Sequence, residues 1–238
     1  MKYIVSINTP KEAWKFVMGM YFSYHNHLKK FGYSYKQFIP TLQSIDDFFK
    51  DESHFQKKKK NEFYEADIAD IKEDFFNYYS LEHFEESITF FNENVIPKID
   101  KVLPKLQKMQ DNWGMYIPEE FNTWFTYGNG GSYSGDKNNP GVILRSTSLN
   151  LNNMAFVSIH ELVHVCIQED IIRKYDIPQD IKEQIVDVIC VDYLKTQKHK
   201  QSFNTPGFSD FITAETVVED LPSAVKQLKE YLSSEKKF

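Results

Sequence analysis

Apolar residues along this chain recur mainly at three- and four-residue intervals, the spacing of one buried face of a helix. Tyr3 to Ile7 reads as a short strand. Thr9, Pro10 and Glu12 then form a helix start: an N-cap hydroxyl, a proline in the first turn and a glutamate completing a capping box. That helix is expected to run to about Lys30 and stop at Gly32, with a shorter one over Leu42 to Phe49. Phe63, Ile68, Ile71, Phe75 and Tyr78/Tyr79 continue the helical period, followed by Phe84, Ile88, Phe91 and Val95 before Pro97. Ile99 to Trp113 is helix-like too, with Pro104 expected to start or kink a helix. Residues 1–112 therefore read as a mainly helical region whose aromatics form core and whose carboxylates form solvated faces.

The pattern changes at Trp113. The next stretch holds five of the chain's nine glycines, with Gly128, Gly130, Gly131 and Gly135 marking a mobile or sharply turning segment. It contains no phosphate-binding GxxxxGK[ST]. GVILRSTS, entered through Pro140-Gly141, is the best strand in the sequence. LNLNNMAFVSIHELVHVCIQEDIIRKY returns to helical spacing, with Asn152 or Asn153 as its cap and Lys174 near its negative pole. IPQDIKEQIVDVICVDYLKTQ makes another helix, and Ser223 to Leu232 a last one. The expected fold is α+β and mostly helical, with a small sheet packed on the helix that carries His160 and His164. No repeat or linker separates 1–112 from 113–238, so the two are expected to form one compact unit.

Composition narrows the function. Of 238 residues, 41% are hydrophobic, including 20 Phe and 14 Tyr, which is a globular composition able to bury a large core. A net charge of -6 argues against nucleic acid or an anionic bilayer as partner. The basic run Lys57 to Lys60 reads as a solvated loop. Cys166 and Cys190 fall in apolar helical stretches and read as buried free thiols. No signal-peptide pattern or membrane-length apolar run occurs, so a cytoplasmic location is expected.

The chemistry concentrates in SIHELVHVCIQE, residues 158–169. Positions i and i+4 share a helix face, so His160 and His164 are placed to converge on one ion. Glu161 sits one residue round, positioned to act on water rather than to coordinate. Flanking Ile159, Leu162, Val163, Val165 and Ile167 imply a buried helix, where two imidazoles and a carboxylate are costly without partners. A hydrolytic zinc site needs a third protein ligand and an open fourth position. Glu169 points away from His164, and Asp176 and Asp180 fall in or near a turn. Asp170 and His199 are further candidates, and Asp192 lies off the apolar face. Glu183 and Asp187, four apart among Ile181, Ile185, Val188 and Ile189, share one inner face, and either can supply the ligand.

HELVH followed by EQIVD resembles the thermolysin-like zinc metallopeptidases, the gluzincins, over roughly residues 140–195. The resemblance implies a zincin core, one zinc per chain held by His160, His164 and Glu183, and Glu161 as general base. It implies Asp187 as the acceptor that orients His160, and a peptide or protein substrate cleaved by metal-activated water. It places the GVILRST strand either as the edge along which an extended substrate pairs or as an internal strand packing on the active-site helix. Tyr175, eleven residues after His164, matches a transition-state donor or else is a packing tyrosine capping the helix end, with His199, Arg145 and Tyr133 as weaker donor candidates. The longer metzincin motif is absent, since position 167 is Ile and position 170 is Asp. The rival expectation is a catalytically inactive metallopeptidase-like scaffold, suggested by the aromatics between Phe75 and Phe91.

Overall fold

The computed structural model describes residues 1–37, 39–128, 130–146 and 151–235. Strand β1 (Lys2–Ile7) leads into α1 (Pro10–Asn26), α2 (Gln43–Lys50), α3 (Ser53–Lys59), α4 (Ala69–Tyr78), α5 (Glu85–Phe90) and α6 (Ile96–Trp113). Strands β2 (Glu120–Tyr127), β3 (Gly130–Ser134) and β4 (Gly141–Ser146) follow, then α7 (Leu151–Ile167), α8 (Gln179–Asp187), α9 (Phe208–Phe211), α10 (Thr216–Glu219) and α11 (Leu221–Glu235). The fold is α+β and mostly helical around one four-stranded sheet. Among the described residues no helix is long and apolar enough to cross a membrane.

The sheet order is β1-β2-β4-β3, parallel throughout except for β3, which pairs antiparallel with β4. β1 comes from the amino-terminal stretch and β2 from the later one, so their ladder ties the two together. Phe121, Thr123 and Phe125 of β2 and Val142 and Leu144 of β4 are buried, at the period of two that puts alternate residues on one face. Phe91 meets Phe125 edge-on at 5.8 Å, packing the long helical rod against that face. Of the two roles open to the GVILRST strand, β4 takes the internal one, between β2 and β3; the outer strands of the sheet are β1 and β3. β2 and β3 were not expected as strands. EFNTWFTY carries the aromatic and β-branched alternation of a strand, but GGSYS carries almost none and is held by its pairing to β4.

The α1 capping box forms as expected, with Glu12 N donating to Thr9 Oγ1 at 3.3 Å and Thr9 N to Glu12 Oε2 at 2.8 Å. The helix ends at Asn26 rather than Lys30, because the chain tightens there into a 3₁₀ turn closed by Gly32 at φ 77°. Pro104 lies inside α6 without ending it. The lost hydrogen bond is outweighed by burial of Ile99, Val102, Leu106 and Met109, each contributing roughly 1.5–3 kcal/mol. Lys57 to Lys59 are not a loop but the last turn of α3, where cations suit the negative pole. Lys58 covers the Phe22 ring at 3.6 Å and Lys57 pairs with Asp67 at 3.2 Å. Asn152 and Asn153 lie inside α7 rather than capping it. Thr147 and Ser148, the end of the expected GVILRSTS strand, are outside the described residues.

In the amino-terminal half, Tyr21 stacks on Phe48 with centroids 4.1 Å apart, and its hydroxyl donates to the Asp51 carbonyl at 2.6 Å. His25 is buried beside it, its Nε2 placed to donate to the Phe49 carbonyl at 3.1 Å. Burial lowers the His25 pKa from its ordinary 6.5, and the Glu52 carboxylate opposes this only in part. The unfolded chain then binds the proton more readily, so the contribution is full above the ordinary value and is lost as pH falls through it toward the lowered folded value. His25→Gln, which keeps an N–H donor but does not titrate, should flatten the loss of stability as pH falls below the ordinary value of 6.5 in denaturant unfolding. An unchanged slope would assign the acid sensitivity elsewhere.

Candidate metal centre

α7 brings His160 and His164 to one side, and α8 crosses opposite and supplies Glu183. Nε2 of His160 and Nε2 of His164 are 3.2 Å apart. Glu183 Oε2 lies 3.4 Å from the first and 3.3 Å from the second. These side chains are 12%, 3% and 11% exposed, so the cluster is nearly enclosed but not sealed. Among the described residues this is the single group of three or more His, Cys, Asp or Glu side chains that could hold a metal.

α7 continues past Ile167 in a wide π turn over Gln168–Arg173, and α8 past Asp187 in another over Val188–Tyr193. Ile181, Ile185, Val186 and Ile189 of the second rod are buried in the same core as Leu162, Val163 and Cys166 of the first. Leu, Val and Ile in that core fix the rods by packing, and the polar groups ride on that frame.

A second set of groups holds the cluster in place. Gln179 Nε2 donates to Glu183 Oε1 at 2.6 Å, and Gln201 Nε2 donates to Glu183 Oε2 at 3.1 Å. The Gln201 backbone N–H donates to Asp187 Oδ2 at 2.6 Å, tying the segment after α8 back onto the helix. The Tyr133 ring of β3 stacks on His164, 4.7 Å between centroids and 6° from parallel. Its hydroxyl donates to Gln168 Oε1 at 2.7 Å and accepts from Lys182 Nζ at 3.2 Å.

Burial alone would raise the Glu183 carboxyl, but hydrogen bonds with His160 and His164, the charge on His164 and the Gln201 amide hold it well below the usual carboxylate range. Burial lowers His164. It acts the same way on His160, where the Glu183 hydrogen bond and the charges of Glu161, Glu183 and Asp187 outweigh it and raise the group. Asp187 is raised, chiefly by its own burial.

Asp187 does not make the expected bond to His160. Its Oδ2 is taken by Gln201, while Asp187 Oδ1 and His160 Nδ1 are both buried without a hydrogen-bond partner, as is His164 Nδ1. Tyr175 forms neither a hydrogen bond nor a ring contact with the cluster among the described residues. Its carbonyl accepts from Lys229, Lys174 lies 5.4 Å from its ring centroid, and no hydrogen bond of its hydroxyl forms among the described residues. His199 is exposed, Asp192 bonds Lys200, and Glu169 pairs with Arg173. Asp170 faces Lys137 at 3.5 Å, Asp180 is exposed, and Asp176 sits in a turn at φ 48°. Arg145 lies in β4 with its side chain outside the described part. Cys166 and Cys190 are buried free thiols, and burial pushes Cys166 up to about 12.

Glu161 packs against β3. A Cβ on Gly131 would stand 3.2 Å from Glu161 Cγ, 3.4 Å from Glu161 Oε1 and only 2.4 Å from Val157 Cγ1. Glycine is needed here for close approach of strand to helix. Gly131→Ala should cost roughly 1–3 kcal/mol in unfolding experiments through overpacking. Val157→Ala in the same chain should recover most of it; no recovery would place the strain elsewhere.

Tyr133 and Gly131 carried little sequence signal, because their roles depend on β3 pairing. Lys182 and Gln201 were missed altogether, one hidden beside a stronger candidate and one in an irregular segment. No family model, curated protein or solved structure matches the chain.

Proposed function

We propose that this chain is a zinc-dependent peptide hydrolase with a gluzincin-like centre, in which His160, His164 and Glu183 hold one zinc and Glu161 is the general base. The observation that carries the reading is the spacing of three ligand atoms from two crossing rods, 3.2, 3.3 and 3.4 Å apart. Atoms bound about 2.0–2.1 Å from a tetrahedral zinc stand about 3.3 Å from one another, so all three edges fit. The unpartnered polar atoms fit as well. Coordination through Nε2 leaves the ring proton on Nδ1, and Asp187 Oδ1 is the buried acceptor without a partner near His160.

Bound there, zinc supplies Lewis acidity, polarising a carbonyl and making water a nucleophile at neutral pH. Glu161 takes the proton from the attacking water and returns it to the departing amine. Gln179 and Gln201 hold the two Glu183 oxygens and so keep the carboxylate from rotating. Strand β3, paired on one side only among the described residues, offers main-chain groups to an extended peptide, and its Gly131 brings that edge against Glu161. The carboxylate and the edge are thus together before substrate arrives.

Purified chain should carry about one zinc, and a mixed peptide library should be cleaved by it. Chelation should stop the cleavage and added zinc restore it. Metal-loaded protein that leaves every peptide intact would overturn the hydrolase reading in favour of a scaffold. The aromatics that suggested a scaffold give it little support: Phe75, Phe84 and Phe91 are fully buried, leaving Phe76 as the exposed aromatic of that group.

A further inference from the structure

Lys182 has no place in the chemistry above, yet it is buried, with its side chain 9% exposed, directly beside the metal cluster. Its Nζ lies 3.6 Å from Glu183 Oε1, outside hydrogen-bond distance, and Gln179 already donates to that oxygen at 2.6 Å. Orienting Glu183 therefore does not require the lysine. Of its three N–H donors one is placed on the Tyr133 hydroxyl, at 3.2 Å, and no other hydrogen bond of Nζ forms among the described residues. The Tyr133 ring lies 5.3 Å from Nζ and steadies the ammonium from the strand side.

A buried ammonium needs an opposite charge. Without a metal, Glu183 provides it. Once Glu183 serves a divalent cation, its charge is more than neutralised and Lys182 faces net positive charge at close range. The cheapest remedy is an anionic oxygen entering beside the ion, where it meets the free ammonium donors in a site with little water to screen them.

Resting on the zinc reading, we infer that Lys182, positioned by Tyr133, is an anion-binding residue that takes a negatively charged oxygen of the substrate next to the metal. That oxygen belongs either to the tetrahedral oxyanion formed on attack or to a terminal carboxylate of the peptide. Tyr133 is the positioning residue: its own proton is committed to Gln168, and its lone pair receives the lysine.

The test uses full-length protein loaded with cobalt(II) in place of zinc, with inorganic phosphate as the probe and the visible absorption of cobalt as the readout. Lys182→Met should weaken phosphate binding about ten-fold or more, and Lys182→Arg should recover most of it. Tyr133→Phe should give a smaller loss in the same direction. Zinc affinity of Lys182→Met should stay the same or tighten, because a neighbouring positive charge has gone. A lysine that merely braced Glu183 would instead loosen the metal. Loss of turnover on both free-acid and amidated peptides assigns the oxyanion, and loss confined to free acids assigns the terminal carboxylate. Unchanged phosphate binding in a metal-loaded Lys182→Met protein overturns the inference and leaves the zinc reading standing. Wild-type protein that takes up no zinc or cobalt overturns both.

Discussion

Glu161→Gln is expected to keep zinc at wild-type stoichiometry and to lower peptide hydrolysis by about 10²- to 10⁴-fold. Glutamine has nearly the same shape, so the packing of the side chain against Gly131 survives the change. What it lacks is a base able to take a proton from water at neutral pH. The loss should therefore fall on kcat, with KM and the melting temperature little changed, since neither the peptide-binding edge nor the core is altered. Metal analysis and steady-state kinetics on the same preparation settle it. Retained cleavage with bound zinc would remove Glu161 from the mechanism and leave this part of the site as packing.

The motif that prompted this experiment was readable because its signal is local. HELVH fixes two imidazoles and a carboxylate on adjacent positions of one helix, and EQIVD puts two acids four residues apart among isoleucines and valines. A helical period converts such spacings into faces without knowledge of the rest of the chain. Thr9, Pro10 and Glu12 were readable for the same reason, since a capping box closes within four residues. What stayed hidden depends on partners distant in sequence. GGSYS becomes a strand only because β4 is beside it, and only then does Tyr133 stack on His164 and reach Lys182. The choice between outer edge and internal strand for GVILRST stayed open at the same point: an apolar strand is more naturally central, with both neighbours present, but nothing in its own residues announces the short antiparallel strand outside it. Gln201 illustrates the limit further. It lies 18 residues beyond Glu183 in an irregular segment, and its amide and its backbone N–H reach Glu183 and Asp187 through a path that no periodicity encodes. Tyr175, whose placement came from spacing within the resemblance, follows the π turn after α7 and has Lys174 over its ring and Lys229 on its carbonyl.

Zinc should stabilise this fold, and the size of the effect discriminates between ligand sets. Free zinc at about a thousand times its dissociation constant adds about 4 kcal/mol to the folded state. For a chain of 238 residues that corresponds to a rise in melting temperature of about 8–16 °C. Glu183→Gln should erase most of the rise, because a neutral amide oxygen replaces the charged ligand while the volume and the Gln179 contact remain possible. Without zinc the same variant should melt below the wild-type temperature, since it leaves the buried Lys182 ammonium without its opposite charge, so the rise is read against the variant's own zinc-free melting temperature. Asp187→Asn separates the two carboxylates that share the α8 face. If Asp187 only receives the His160 ring proton, its loss weakens zinc about 10- to 100-fold and trims the thermal rise without abolishing it. Should Asp187→Asn erase the rise while Glu183→Gln preserves it, the ligand assignment is reversed. The Glu183 carboxylate, 3.3 and 3.4 Å from the two imidazoles, would then be their hydrogen-bond partner and nothing more.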